Sequence, residues 1–366
     1  MLLIPLIVVA AMRSAAMPLT TEPMDSVVRG DRKVMKAVRE VVREFDRTDN
    51  DYIEPPHYEL CLELRAQRNF EDFVLSSNGQ SIMFSPDQRV KVGPYFGWRW
   101  IFLGTTFDLK NISLFGNSAK RELDFSIYSS QIGIDLFYRR TGSDYKLRRV
   151  RLGDDMDSRG LENVPFDGVC AGITGVNVYY IFNHGRFSHP AAFSQSTLQK
   201  VSCGSWIAGL GYTRNSLDLD YEKLQQTFDT HLGKDVAHVD TSLYFNHIQY
   251  TDYTVSAGYA WNQVLPHHWL LAASGQLGVA YKKSTGDVEG SSEAGFNFEN
   301  VNLDAVGRLG AVYNNMRWYA GMSAIIRTNN YHKPRFRTNN TFGNINLYIG
   351  YNFGLKKKYR KRQQSL

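Results

Sequence analysis

Apolar and polar residues alternate along the last stretch of the chain. From Asn344 to Leu355, Ile345, Leu347, Ile349, Tyr351, Phe353 and Leu355 fall on one face, and Asn344, Asn346, Tyr348, Gly350, Asn352 and Gly354 on the other. Side chains of a strand point alternately to opposite faces, so this pattern predicts a strand with one apolar and one small, uncharged polar face. A wet strand face normally carries Lys, Glu or Arg. Glycine and small amides instead predict a wet face that is crowded, such as the lumen of a barrel.

The same pattern recurs upstream. In 317–327, Trp318, Ala320, Met322, Ala324 and Ile326 share a face. In 301–314 the apolar set is Leu303, Ala305, Leu309, Ala311 and Tyr313; in 268–282 it is Trp269, Leu271, Ala273, Leu277, Val279 and Tyr281. In 250–262 it is Tyr253, Val255, Ala257, Tyr259 and Trp261. Weaker strand patterns cover 199–214, 171–183, 132–141, 121–130, 101–109 and 89–97. An even count, with both ends on one rim, requires one more strand within 57–86, making about twelve.

The connections alternate in length. Tight turns fall near Trp98–Trp100, Ser130–Gln131, Gln263–His267 and Asn314–Met316, and long polar loops near 110–120, 142–170, 215–249, 283–299 and 328–340. Short turns on one rim and long loops on the other predict an all-β, antiparallel transmembrane β-barrel. The segment 184–198 is the exception, a longish link where a short one belongs. A water-soluble barrel shares the period but turns its apolar face inward. Against it, Trp261, Trp269, Tyr313, Trp318, Tyr351 and Phe353 gather beside the short turns, as a membrane interface selects. A soluble ligand-binding barrel also closes with about eight strands.

Composition agrees. Across 366 residues the hydrophobic share is 43%, and the mean hydropathy is −0.35. The apolar run Leu2–Met12 is too short to span a bilayer as a helix. With Ser14-Ala15-Ala16 after it, residues 1–16 read as a secretory signal, although no Lys or Arg precedes the run. No Cys follows the small residues, so no lipid anchor is expected at the mature N-terminus. Residues 17–56 form a periplasmic helix and linker. Val34, Val38, Val41, Val42 and Phe45 give an amphipathic helix over 24–46, and Pro55 and Pro56 end the segment. The barrel follows over 57–355, then a basic tail over 356–366. The net charge of +6 equals the six cations Lys356, Lys357, Lys358, Arg360, Lys361 and Arg362. The high pI therefore describes a tail, and no nucleic-acid partner is expected. Cys61, Cys170 and Cys203 lack metal spacing and read as small hydrophobes, with one disulfide open to an oxidising compartment.

Several motifs resemble a known family. They are Asp51-Tyr52-Ile53-Glu54-Pro55, the stretch Val92-Gly93-Pro94-Tyr95-Phe96-Gly97-Trp98-Arg99-Trp100, and Gly133-Ile134-Asp135-Leu136-Phe137-Tyr138-Arg139-Arg140. Arg186-Phe187-Ser188 with Pro190-Ala191-Ala192-Phe193, leading to Ser202-Cys203-Gly204-Ser205, looks like the same family. It is the uncharacterised domain of unknown function 4421, and the resemblance spans residues 49–355. It implies an exported barrel of a Gram-negative outer membrane and brings no activity, ligand or catalytic residue.

Candidate chemistry is sparse. No Gly-rich phosphate loop, H-E-x-x-H or G-x-S-x-G occurs. The densest cluster is Asn183-His184-Gly185-Arg186-Phe187-Ser188-His189. A barrel-borne lipid hydrolase needs a serine beside a base, and His184 with Ser188 is the candidate pair. Against it stands a polar turn with a Pro190 bulge. His267-His268 reads as an ordinary turn that would bind a metal only with outside partners. The inward faces carry Arg89, Lys91, Asp108, Glu122, Asp124, Asp135, Arg139, Asp252, Asp304, Arg308, Arg317 and Arg327. Charges in a narrow lumen must be paired or wet. They read as an ion-paired filling that stiffens the wall, or as a polar path for a small solute. The expectation is a non-enzymatic barrel with no catalytic, cofactor or metal site. Its partners are outer-membrane lipids, with the N-terminal helix as a candidate surface for a periplasmic partner. Nothing in the sequence sets an oligomeric state.

Overall fold

The computed structural model describes residues 48–98, 101–104, 107–108, 121–140, 145–153, 157–234, 238–240, 247–286, 301–332, 337–356 and 359–360. The expected signal, the amphipathic helix over 24–46 and most of the basic tail lie outside the described residues.

The strands are, in chain order, β1 (Ile53–Glu54), β2 (Tyr58–Ser77), β3 (Gln80–Pro86), β4 (Val90–Trp98), β5 (Ile101–Gly104), β6 (Phe107–Asp108), β7 (Arg121–Tyr128), β8 (Ile132–Arg140) and β9 (Tyr145–Arg151). They continue with β10 (Val164–Phe166), β11 (Val169–Ile181), β12 (Leu198–Gln199), β13 (Cys203–Leu219), β14 (His247–Leu265), β15 (Trp269–Gly286), β16 (Val301–Asn314), β17 (Trp318–His332) and β18 (Arg337–Leu355). Helices α1 (His189–Phe193) and α2 (Tyr221–Leu232) lie between strands.

The main sheet runs β2–β18–β17–β16–β15–β14–β13–β11–β8–β7, and β2 also pairs β4, which pairs β5 and β6. With β5 and β6 taken as one interrupted strand, twelve strands build the wall. All its ladders are antiparallel. The first and last wall strands pair, with Tyr58 opposite Leu355 and Ser76 opposite Arg337. Among the described residues no ladder joins β5 or β6 to β7. The sheet is nonetheless rolled. Arg139 of β8 donates to the carbonyls of Phe70 on β2 and Gly343 on β18, each at 3.2 Å. Those strands are far from β8 in sheet order and meet only because the wall curves round.

The faces fall as the alternation requires. Leu277 is 72% exposed, Leu303 67% and Leu347 56%, on the outside, whereas Gln276, Arg308 and Asn344 are buried. The glycine-rich inner face is crowded. A Cβ on Gly133 would sit 2.1 Å from the Tyr179 ring, and one on Gly350 2.1 Å from that of Tyr319. Both pairs lie directly opposite each other across a ladder. The aromatic girdle at the short-turn rim is present: Trp318 lies 4.6 Å from Tyr351, and Trp269 5.7 Å from Tyr313.

The long loops are not simply polar. Residues 57–86 supply the wall strand β2 and also a hairpin partner, β3, turned by Asn78 and Gly79 at φ 43° and 84°. A two-residue Asn-Gly turn with both φ positive matches the twist of a hairpin. β3 pairs β9, and β9 pairs β10. Inward residues at this end of the wall, among them Phe73, Ala171, Leu217, Tyr250 and Tyr331, join Phe84, Tyr145, Leu147, Leu224 and Phe228 in one apolar core. Leu224 and Phe228 come from α2, whose N-terminus is capped by Asp220 accepting from Lys223 N at 2.9 Å. Outside this core, a hydrogen bond from Lys146 holds the Asp87 carboxyl below its usual range. The core closes the long-loop end of the barrel.

The exceptional link at 184–198 also has its explanation. It folds back between the strands, and its helix α1 packs on β15 and β16. Gly310 on β16 faces it, with Ala192 O and a Phe193 ring atom each 3.5 Å from where a Cβ would lie. A two-stranded ladder of β1 and β12 ties the residues before β2 to this inward segment.

Candidate functional site

Of the inward charges read from the sequence, the lumen holds Asp135, Arg139, Asp252, Asp304, Arg308 and Arg327, with Glu63, Arg65 and Lys282, in three tiers; the side chains of Asp108, Glu122 and Asp124 lie outside the described ones. Nearest the apolar core, Lys282 bridges two carboxylates, Asp252 at 3.3 Å and Asp304 at 3.2 Å. Lys282 is 0% exposed, so its charge is met by protein groups. β14, β15 and β16 are neighbours, which brings the three residues together.

The middle tier centres on Asp135 of β8. Arg308 of β16 and Arg327 of β17 reach the same Asp135 oxygen, at 2.5 and 3.3 Å. Ser126 of β7 donates to its other oxygen at 2.7 Å. Each arginine lies over a ring: Arg308 over Tyr179 at 4.9 Å, Arg327 over Phe137 at 5.2 Å and Arg139 over Phe342 at 5.2 Å. The electron-rich ring faces favour the desolvated cations. Glu122 of β7 stands opposite Arg139 in the ladder.

Towards the short turns, Glu63 of β2 takes Arg65 at 2.7 Å and the Tyr319 hydroxyl at 2.9 Å. Here the inward segment fills the barrel. Gln195 donates to the Tyr348 hydroxyl at 2.8 Å, and Asn262 to the Ser188 carbonyl at 2.8 Å. Among the expected inward charges two are corrected. Arg317 sits exposed on the β16–β17 turn and donates to the Tyr351 hydroxyl, and Arg89 is exposed beside β4. Both lie at strand ends, where the alternation no longer reports the lumen.

The candidate pair is not assembled. Ser188 Oγ caps α1, accepting from Ala191 N at 3.1 Å, and contacts Thr197 Oγ1 at 2.6 Å. His184 Nε2 meets the Gln131 amide at 3.0 Å, and its Nδ1 has no partner. Neither imidazole nitrogen bonds to Ser188. His267 and His268 form the β14–β15 turn, both at positive φ.

The alternation alone did not single out His189. It is 0% exposed, and neither ring nitrogen has a hydrogen-bond partner. The rings of Phe193, Tyr128 and Tyr179 lie 4.7, 5.2 and 5.5 Å away. A buried polar group without a partner costs about 1–3 kcal/mol. His189→Phe is therefore expected to stabilise the protein, by about 1 kcal/mol, in urea unfolding of the lipid-refolded chain. A clear loss would mean that the nitrogens are satisfied.

A rolled antiparallel wall, apolar outside and polar inside with an aromatic girdle at the short-turn rim, defines an outer-membrane β-barrel protein. The chain belongs to the family described as Domain of unknown function (DUF4421), whose profile matches residues 47–353. Solved structures similar to it include the outer membrane protease OmpT of Escherichia coli, at 10% identity over 81% of this chain and 97% of that one, TM-score 0.35. The translocator domain of autotransporter NalP from Neisseria meningitidis is 13% identical over 90% of this chain and 98% of that one, TM-score 0.31. The toluene transporter TodX of P. putida is 9% identical over 81% of this chain and 91% of that one, TM-score 0.24. Comparison with curated proteins finds no match.

Proposed function

We propose that this barrel is non-enzymatic and structural, a wall whose interior is filled rather than an open pore. The supporting observation is the filling itself. Apolar core, ion-paired tiers and inward segment follow one another along the lumen. A continuous wet path for ions needs a lined gap, and beside Arg308 and Arg327 the lumen leaves a cavity of only about 40 Å³. The reading as a narrow solute passage would require the inward segment and the cap to move.

The competing reading is a lipid hydrolase working through His184 and Ser188. It requires the imidazole to reach the hydroxyl, and both groups are engaged elsewhere. In planar bilayers the full-length protein is expected to give no steady conductance, and on phospholipid esters no hydrolysis. A sustained ion current would overturn the structural reading. Hydrolysis lost in both Ser188→Ala and His184→Ala would establish the enzyme.

A further inference from the structure

Two buried guanidinium groups share one oxygen and leave much of their hydrogen-bonding capacity unused. Arg308 is 1% exposed and Arg327 4%. Each spends one nitrogen on Asp135 Oδ2, while the Nε and Nη1 of both have no partner. The amide nitrogen of Gln276 and the hydroxyl of Tyr179 are also unpartnered. All four side chains line the same lumen cavity, of about 40 Å³.

We propose that this cavity binds one small inorganic anion, of halide size, held by Arg308, Arg327 and Gln276. The unmet groups decide the ligand. Five nitrogens of Arg308, Arg327 and Gln276 can only donate. The volume would admit water, which needs roughly 10–15 Å³. Each water, however, brings hydrogens of its own that need acceptors. Asp304 on the cavity wall spends Oδ1 on Lys282 and on the Asn330 N–H. The wall also carries Asn177, Thr213, Ser256 and Asn329, whose oxygens can accept, but the lining atoms left unmet are all donors. A halide accepts from several donors at once and returns none. Hydrogen bonds from charged donors to an anion are also the stronger kind. The small volume excludes sugar acids and other bulky carboxylates.

Thermal unfolding of the full-length protein in detergent micelles tests this, at constant ionic strength, with sodium chloride exchanged for sodium gluconate. A ligand that binds only the folded state raises the midpoint with its concentration. The expected result is a midpoint several degrees higher in chloride than in gluconate, rising with chloride. Gln276→Glu places a tethered carboxylate at the cavity. It should abolish the chloride response while leaving stability in gluconate at or above that of the wild type. Arg327→Met should abolish the response by removing donors. Equal wild-type midpoints in the two salts would mean that the cavity holds water only, and would overturn the proposal. A response undiminished in both variants would place the anion elsewhere, and would overturn it equally.

Discussion

Asp135→Asn is expected to destabilise the barrel by about 3–5 kcal/mol, the usual cost of removing one partner from a buried ion pair. Asp135 is 1% exposed and meets both Arg308 and Arg327. The asparagine keeps the shape and the hydrogen bond from Ser126 but removes the charge. Two desolvated guanidiniums on the neighbouring strands β16 and β17 are then left side by side, and neither can lose its proton. Asp167→Asn is the control. Asp167 pairs with Lys223 at 2.6 Å on the exposed outer side, and this hydrogen bond holds its carboxyl below the usual range. Water screens such a pair, so its loss should hardly register. Urea unfolding of the lipid-refolded proteins measures both. Similar small losses for the two variants would mean that the middle tier is wet and unimportant to stability.

The second large effect is a contrast between neighbours. Leu347→Arg is expected to cost about 2–4 kcal/mol, because it puts a cation into hydrocarbon near mid-strand. Leu347 is 56% exposed on the outer face, opposite Ala66 and Met322 on the flanking strands. Asn346→Arg should cost less. Asn346 points inward and shares a hydrogen bond with Asn344 at 2.8 Å, and the lumen offers polar neighbours to a new cation. Refolding each variant into lipid vesicles gives the ranking. If Asn346→Arg were the more damaging, the apolar face would be the inner one, and the protein a soluble barrel.

The alternation from 250 to 355 was enough to read five strands, their lipid-facing sides and the girdle. That pattern is local. A side chain's face depends only on its parity along its own strand. The glycines on the polar face correctly signalled crowding, since Gly133 and Gly350 each accommodate an aromatic ring from the strand beside them. Among the described side chains, parity failed at strand ends, as at Arg317, where the chain leaves the ladder.

Partner choice was not legible in the same way. Asp135 and Arg308 are 173 residues apart, on strands that do not touch in the sheet. They meet because the wall curves, and curvature is a property of all the ladders together. The apolar core at the long-loop end was hidden for a related reason. Its members come in ones, twos and threes from β2, β3, β9, α2 and the long-loop ends of several wall strands, so no window of sequence looks apolar. The segment 184–198 showed in sequence only as a link of the wrong length. Its inward position depends on Gly310 leaving room and on Asn262 and Tyr348 offering hydrogen bonds from the wall. By itself, then, the sequence determined which face of each strand meets lipid, because a period of two needs no distant contact. Only the tertiary structure decided which charges pair and what fills the lumen, because those contacts exist only once the sheet has rolled.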